Sequence, residues 1–283
     1  MKQRRILSMS SAKAFDRKKQ DVGNIVLFEH LNLKVPDFDT AIRFYVEGLC
    51  LTRDPYYMVG PVNMWINNGY QQLHFQKGEA QRFRGEVVLV IPDLQHVADN
   101  LKKVEPYLSR SRFSWAEESH CIVAACPWGN RYRIRQFWEG FDQPRGIPHL
   151  QADVPRNTGP SIARFYRSVL DARVEIAAEN AAEVRVTVGP GQTISFKETD
   201  KDVPEFDGHH FCIYLANLSP SYERLFERDL VTSEDNVFQY RFQEIFDPDT
   251  AQTVYEIEHE VRSLFHPMFM RPLVNRWKEK PLP

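Results

Sequence analysis

Three short stretches hold the side chains best suited to chemistry: HLNLKV from His30, HLQADV from His149 and HHFCIYL from His209. YEIEHE, from Tyr255, adds carboxylates near the end of the chain, Glu256 and Glu258 among them. Imidazoles and carboxylates bind metal ions and move protons near neutral pH. A lone histidine on a strand is more often a hydrogen-bonded structural residue, so chemistry requires that several such groups share one face. The four cysteines, Cys50, Cys121, Cys126 and Cys212, include no C-x-x-C pair. They read as reduced thiols of a cytoplasmic protein rather than as a zinc or redox site.

The elements that would position these groups repeat along the chain. FEHLNLKVPDFDTAIRFYVEGLCL from Phe28 and IPHLQADVPRNTGPSIARFYRSVLDARV from Ile147 share one plan. In both, a histidine opens an alternating strand, Val-Pro ends it (Val35-Pro36, Val154-Pro155), and a helix carrying Arg-Phe-Tyr follows (Arg43 to Tyr45, Arg164 to Tyr166). Side chains on a strand alternate between faces. Leu31, Leu33 and Val35 therefore form one apolar face, as do Leu150, Ala152 and Val154, and the histidines lie on the polar face, where a ligand could sit. Short strands follow at Met64–Asn67 and Gln71–Gln76, and at Val184–Val188 and Thr193–Lys197. GEVVLVIPDLQHVADNLKKV from Gly85 and HHFCIYLANLSPSYERLFERDL from His209 then each open a second strand and helix. CPWGNRYRIRQF from Cys126 and DPDTAQTVYEIEHE from Asp247 close the copies. This spacing predicts an α+β chain of four βαβββ units, with a break at Gly140–Gly146. The expected division is a leader over 1–24, modules over 25–140 and 141–260, and an extension over 261–283.

Composition narrows the partners. The chain has 283 residues, and its 36 basic and 38 acidic side chains nearly cancel, which leaves no field favouring nucleic acid. No apolar run approaches the roughly 20 residues that span a bilayer. A small-molecule partner is expected, together with a homodimer. The basic leader lacks the apolar run of a secretory signal; an organellar transit peptide remains an alternative to a cytoplasmic location.

The order of elements, the opening H-L-x-x-x-V, the Arg-Phe-Tyr helix and the Asp-Pro turn before a Glu-bearing strand together resemble the vicinal oxygen chelate superfamily, which includes glyoxalases, bleomycin-resistance proteins and extradiol dioxygenases. The resemblance covers residues 25–260. It implies one cupped mixed sheet per module and metal ligands on the first strand, on the strand opening the second half, and on the last strand. Carried onto the second copy, these positions are His149, His210 and Glu256, with His209 and Glu258 as alternatives. Two imidazoles and a carboxylate on one side of an ion suit Fe(II), with Mn(II), Zn(II) and Ni(II) as alternatives. The same positions in the first copy are His30, Glu86 and Arg133. Because arginine cannot coordinate a cation, that module is expected to be metal-free and His30 a remnant.

The activity so implied is that of a ring-cleaving or 2-oxo-acid dioxygenase using Fe(II) and O2. The alternatives are a glyoxalase-type lyase or isomerase with Glu198 as base, and a non-catalytic binding protein in which Trp115, Trp128 and Trp138 stack on the ligand. Two departures from the extradiol pattern stand out: no histidine lies between Gln151 and Asp207, and Phe246 stands where a tyrosine precedes the acidic-Pro turn. Tyr214, Tyr255 and His266 are the candidates to move protons instead.

Overall fold

The computed structural model describes residues 17–56, 61–176 and 182–276. Most of the expected leader lies outside them.

Four βαβββ units follow one another. The first comprises β1 (Ile25–Val35), α1 (Phe38–Ala41), β2 (Thr52–Arg53), β3 (Asn63–Asn68) and β4 (Gln71–Lys77); the second β5 (Gly85–Val90), α2 (Leu94–Leu108), β6 (Ser114–Glu118), β7 (Cys121–Ala125) and β8 (Arg131–Arg135). The third holds β9 (Gly146–Pro155), α3 (Gly159–Ser168), β10 (Val174–Ile176), β11 (Glu183–Gly189) and β12 (Gln192–Thr199); the fourth β13 (His210–Leu215), α4 (Ser219–Phe226), β14 (Val231–Asn236), β15 (Gln239–Phe246) and β16 (Thr253–Ser263). In the first unit the Arg-Phe-Tyr segment is not a regular α-helix: α1 passes directly into a π-helical stretch over Ile42–Gly48.

The strands form two eight-stranded mixed sheets, ordered β14-β15-β16-β13-β1-β4-β3-β2 and β10-β11-β12-β9-β5-β8-β7-β6. This corrects the expected pairing of consecutive units within 25–140 and 141–260. The first sheet joins units one and four, and the second joins units two and three. Each unit presents the opening strand as an unpaired edge, and backbone N–H and C=O groups carry no label that tells one such edge from another. β1 pairs antiparallel with β13, and β5 with β9.

Alternation sets which side of each sheet meets the helices. Leu31, Leu33 and Val35, like Leu150, Ala152 and Val154, are fully buried in one apolar core that contains residues of both sheets. Asp37 accepts from Thr40 N at 2.8 Å at the start of α1, and Asp93 from His96 N at 2.9 Å at the start of α2, so each helix begins on a side-chain cap. Tyr45 and Tyr166 sink into the core yet keep their hydroxyls bonded, Tyr45 to Tyr132 Oη at 2.8 Å and Tyr166 to His259 Nε2 at 2.7 Å. The two tyrosines of the repeated motif thus reach across, from unit one to unit two and from unit three to unit four.

Candidate metal centre

The polar face of the first sheet brings together residues from its four central strands. A bulge between Phe28 and His30 turns both Glu29 and His30 into the cup, where β1 meets β13 with His30 opposite Cys212 and Asn32 opposite His210. β16 runs parallel to β13, with Glu258 level with His210 and Glu260 level with Cys212. Donor atoms of His30, His210 and Glu260, all buried, lie within 4.8 Å of one another.

Carboxylates behind them fix both rings. His30 Nδ1 lies 3.1 Å from Glu29 Oε2, and His210 Nδ1 lies 3.1 Å from Glu258 Oε2. Each contact aligns Nδ1 as a donor to its carboxylate, and in a neutral ring so held Nε2 keeps a lone pair. Nε2 of His30 is buried with no hydrogen-bond partner. Nε2 of His210 is 3.3 Å from Glu260 Oε2, outside hydrogen-bond geometry. Leaving two such atoms unsatisfied in a closed interior is costly unless something else accepts their lone pairs.

The local charge admits a cation. Glu29, Glu258 and Glu260 face Arg241 and Arg262, a balance of one negative charge with the imidazoles neutral. Arg262 bonds Glu29 at 2.6 Å and Glu260 at 2.5 Å, and Arg241 bonds Glu260 at 2.5 Å and Glu258 at 3.0 Å. Burial alone would raise the Glu260 carboxyl, but His210, His30 and Arg262 hold it well below the usual carboxylate range. Burial pushes His30 down, against the pull of Glu29. His74 on β4 completes the surroundings, its ring 5.8 Å from that of His30. It is stacked 3.7 Å from Trp65, and both its nitrogens are held, by Asn32 at 2.6 Å and Asn63 at 3.1 Å.

The expected ligand set is not brought together. His149 belongs to the second sheet, where Thr193 Oγ1 at 2.8 Å and Ser195 Oγ at 3.1 Å occupy its nitrogens and Trp138 stacks on its ring. Glu256 is exposed and lies opposite Glu244 on β15, before the point where β16 comes level with β13. His209 points away from the cup, with Nδ1 2.6 Å from Asp207 and its ring between Phe83 and Phe206. Glu258 is in the cup, behind His210 rather than beside His30. Tyr214 is also in the cup and donates to Glu29 at 2.9 Å. Tyr255 is packed under Arg84, 4.2 Å from the ring centroid, and Glu198 accepts from Gly159 N at 2.9 Å at the start of α3.

His30, set aside in the sequence as a remnant, and Glu260, passed over, are the two residues that complete the cluster. Glu256, Glu258, Glu260 and Arg262 alternate along one strand, so periodicity alone admits each of the three glutamates. The registers of β13 with both neighbours select Glu260, which is level with Cys212 and so faces His30 on β1.

Neither protein-family models nor curated protein sequences give a match to this chain. Solved structures do. Glyoxalase I from Zea mays is similar over 88% of this chain and 95% of that one, with TM-score 0.54 and 12% identity. A Bacillus subtilis protein described as a "putative dioxygenase" is similar over 88% of both chains, with TM-score 0.53 and 12% identity. The chain therefore shares the overall fold of these two structures. No helix among the described residues is long and apolar enough to cross a membrane.

Proposed function

We propose that this protein is a metal-dependent enzyme acting on a small molecule in the cup of the first sheet, with His30, His210 and Glu260 holding one divalent ion. The observation that carries this is the pair of buried histidines, each with Nδ1 tied to a carboxylate and each offering a donor atom within 4.8 Å of Glu260. Two imidazoles and one carboxylate leave coordination positions open and favour Fe(II) in an oxygenase reading, with Mn(II), Zn(II) and Ni(II) as the other candidates. The ion would supply Lewis-acid polarisation of a chelating substrate and an electron path to O2.

The protein's own groups do the positioning. Glu29 and Glu258 select the ring tautomers. Arg262 and Arg241 orient Glu260 and offset the like charges of three carboxylates. Tyr214 holds Glu29 against His30. Asn32 and Asn63 fix His74 at the wall as a neutral, hydrogen-bonding group. The earlier candidate base, Glu198, is committed to the start of α3 and takes no part.

Anaerobic loading with Fe(II), followed by metal analysis, tests the centre. One equivalent per chain is expected, lost in His30→Ala and in His210→Ala and retained in His149→Ala; retention in the first two would reject the assignment. Oxygen uptake with catechols or 2-oxo acids, set against isomerisation of a hemithioacetal, then separates oxygenase from lyase or isomerase chemistry.

The two arginines on Glu260 favour a second reading, a ligand-binding protein in which guanidinium groups take the place of the ion. No metal uptake by the wild-type chain would select it.

A further inference from the structure

After β16 ends at Ser263 the chain reverses through a series of tight turns, His266 N to Ser263 O, Phe269 N to His266 O and Arg271 N to Met268 O. It then crosses the first sheet toward its opposite edge. Met268 Sδ accepts from Arg262, and Phe269 packs 5.1 Å from Tyr214. Arg271 reaches Asp54 at 3.4 Å, and the Val274 carbonyl accepts from Asn67 at 2.9 Å. Asn275 exchanges two 2.8 Å bonds with the backbone of Gly69, and Arg276 N donates to Thr52 Oγ1 at 2.8 Å. Arg262, Tyr214 and Asn67 all belong to the cup face.

The space beneath is too small for a ligand. A crevice of about 10 Å³ separates Leu27, Glu29 and Gln72 from Met268, Arg271 and Leu273, whereas pockets for small molecules measure roughly 300 Å³ or more. The attachment is nevertheless light. The segment pairs with no strand, Phe265 and Met270 are exposed, and only Met268 is buried. Side-chain contacts of this kind open at a fraction of the free energy that holds a strand in a sheet.

We infer that residues 264–276 are a strap that closes the cup and must swing away before a small molecule reaches His30, His210 and Glu260. This rests on the reading of that cup as the functional site, but its test needs no metal. Cys212 is fully buried on the cup floor, in a cluster with Glu29 and His30. Its modification by methyl methanethiosulfonate, followed by peptide mass spectrometry, reports opening. A chain ending at Ser263 and the full-length double variant Arg271→Ala/Asn275→Ala are each compared with the wild type, with circular dichroism as the check on folding. At least tenfold faster labelling of Cys212 in the folded variants is expected; equal rates in the double variant would overturn the strap. His210→Ala keeps the slow wild-type rate if the strap alone closes the cup. That variant therefore separates the strap from the metal centre, whose own failure is read from metal content.

Discussion

Arg133 donates twice to Glu86, 2.8 Å from Nε to Oε1 and 3.2 Å from Nη2 to Oε2, and the pair stands in the second sheet where Glu260 and His210 stand in the first. The registers agree: Arg131 lies level with Glu86 as Glu258 does with His210, and Gln151 lies opposite Glu86 as Asn32 does opposite His210. One cup thus carries a candidate ligand set, and its sibling carries an internal ion pair in the same place.

Exchange of those residues is expected to move the property. With His149 at the position of His30, Glu86→His/Arg133→Glu should raise Co(II) stoichiometry from one to two per chain, read from d–d absorption. A count of one in the folded variant would show that the sheets differ beyond these positions. Glu86→Ala alone should cost about 1 kcal/mol in urea denaturation, since the pair is about a quarter exposed and Arg133 keeps Glu118 at 2.9 Å.

His149 gives the fold an acid-sensitive step. Burial, helped by Arg185, pushes its pKa from 6.5 down to about 4. The unfolded chain takes up the proton first, so this contribution to stability is complete above pH 6.5 and is lost as pH falls toward 4, on the order of 3 kcal/mol in all. His149→Gln should be less stable at pH 7.5 and show a shallower loss between pH 6.5 and 4. A wild-type slope in the variant would place the sensitivity elsewhere.

The Tyr45–Tyr132 hydroxyl pair joins units one and two inside the core, each ring fully buried. Tyr45→Phe and Tyr132→Phe should each destabilise by about 1 to 2 kcal/mol, because each removes the buried hydroxyl–hydroxyl bond, which the Cys126 thiol beside Tyr45 replaces only weakly. The double variant should cost less than their sum. Strict additivity in thermal or urea unfolding would mean that the two hydroxyls are not coupled.

Gly85 opens β5 against the backbone of β9, where an added Cβ would lie 1.8 Å from the Gln151 carbonyl oxygen. Gly85→Ala should cost on the order of 3 kcal/mol, because a main-chain pairing between units must part. Gly140, at φ +76° with nothing within 4 Å of an added Cβ, should cost only about 1 kcal/mol when changed to alanine. Similar losses at both positions would remove the steric argument.

Local features of the fold were legible in the sequence. Alternation around Leu31 and Leu150 marked the strands and their apolar faces, and repetition marked four units. The turn of His210, Cys212 and Tyr214 into one face followed from Phe211, Ile213 and Leu215 on the other. The partner of each unit was not legible, because β1 offers the same edge to β5 as to β13. That one ambiguity moved His149 to a different sheet from His210. Glu256 failed for a related reason: the smallest insertion after the Asp-Pro turn picks the exposed start of an eleven-residue strand, while the cup lies nearer its far end.

The nesting of one sheet inside the sequence of the other also imposes an order in time on synthesis. Residues 85–199 supply all of the second sheet as a contiguous stretch. β1 must wait for β13, and at roughly 5 to 20 residues per second that wait is on the order of ten seconds or more. Until then β1 holds an open edge that invites wrong partners. A nascent chain therefore acquires its His30–His210–Glu260 cluster only once residue 260 has left the ribosome, and fragments released early would carry the second sheet without the candidate metal centre.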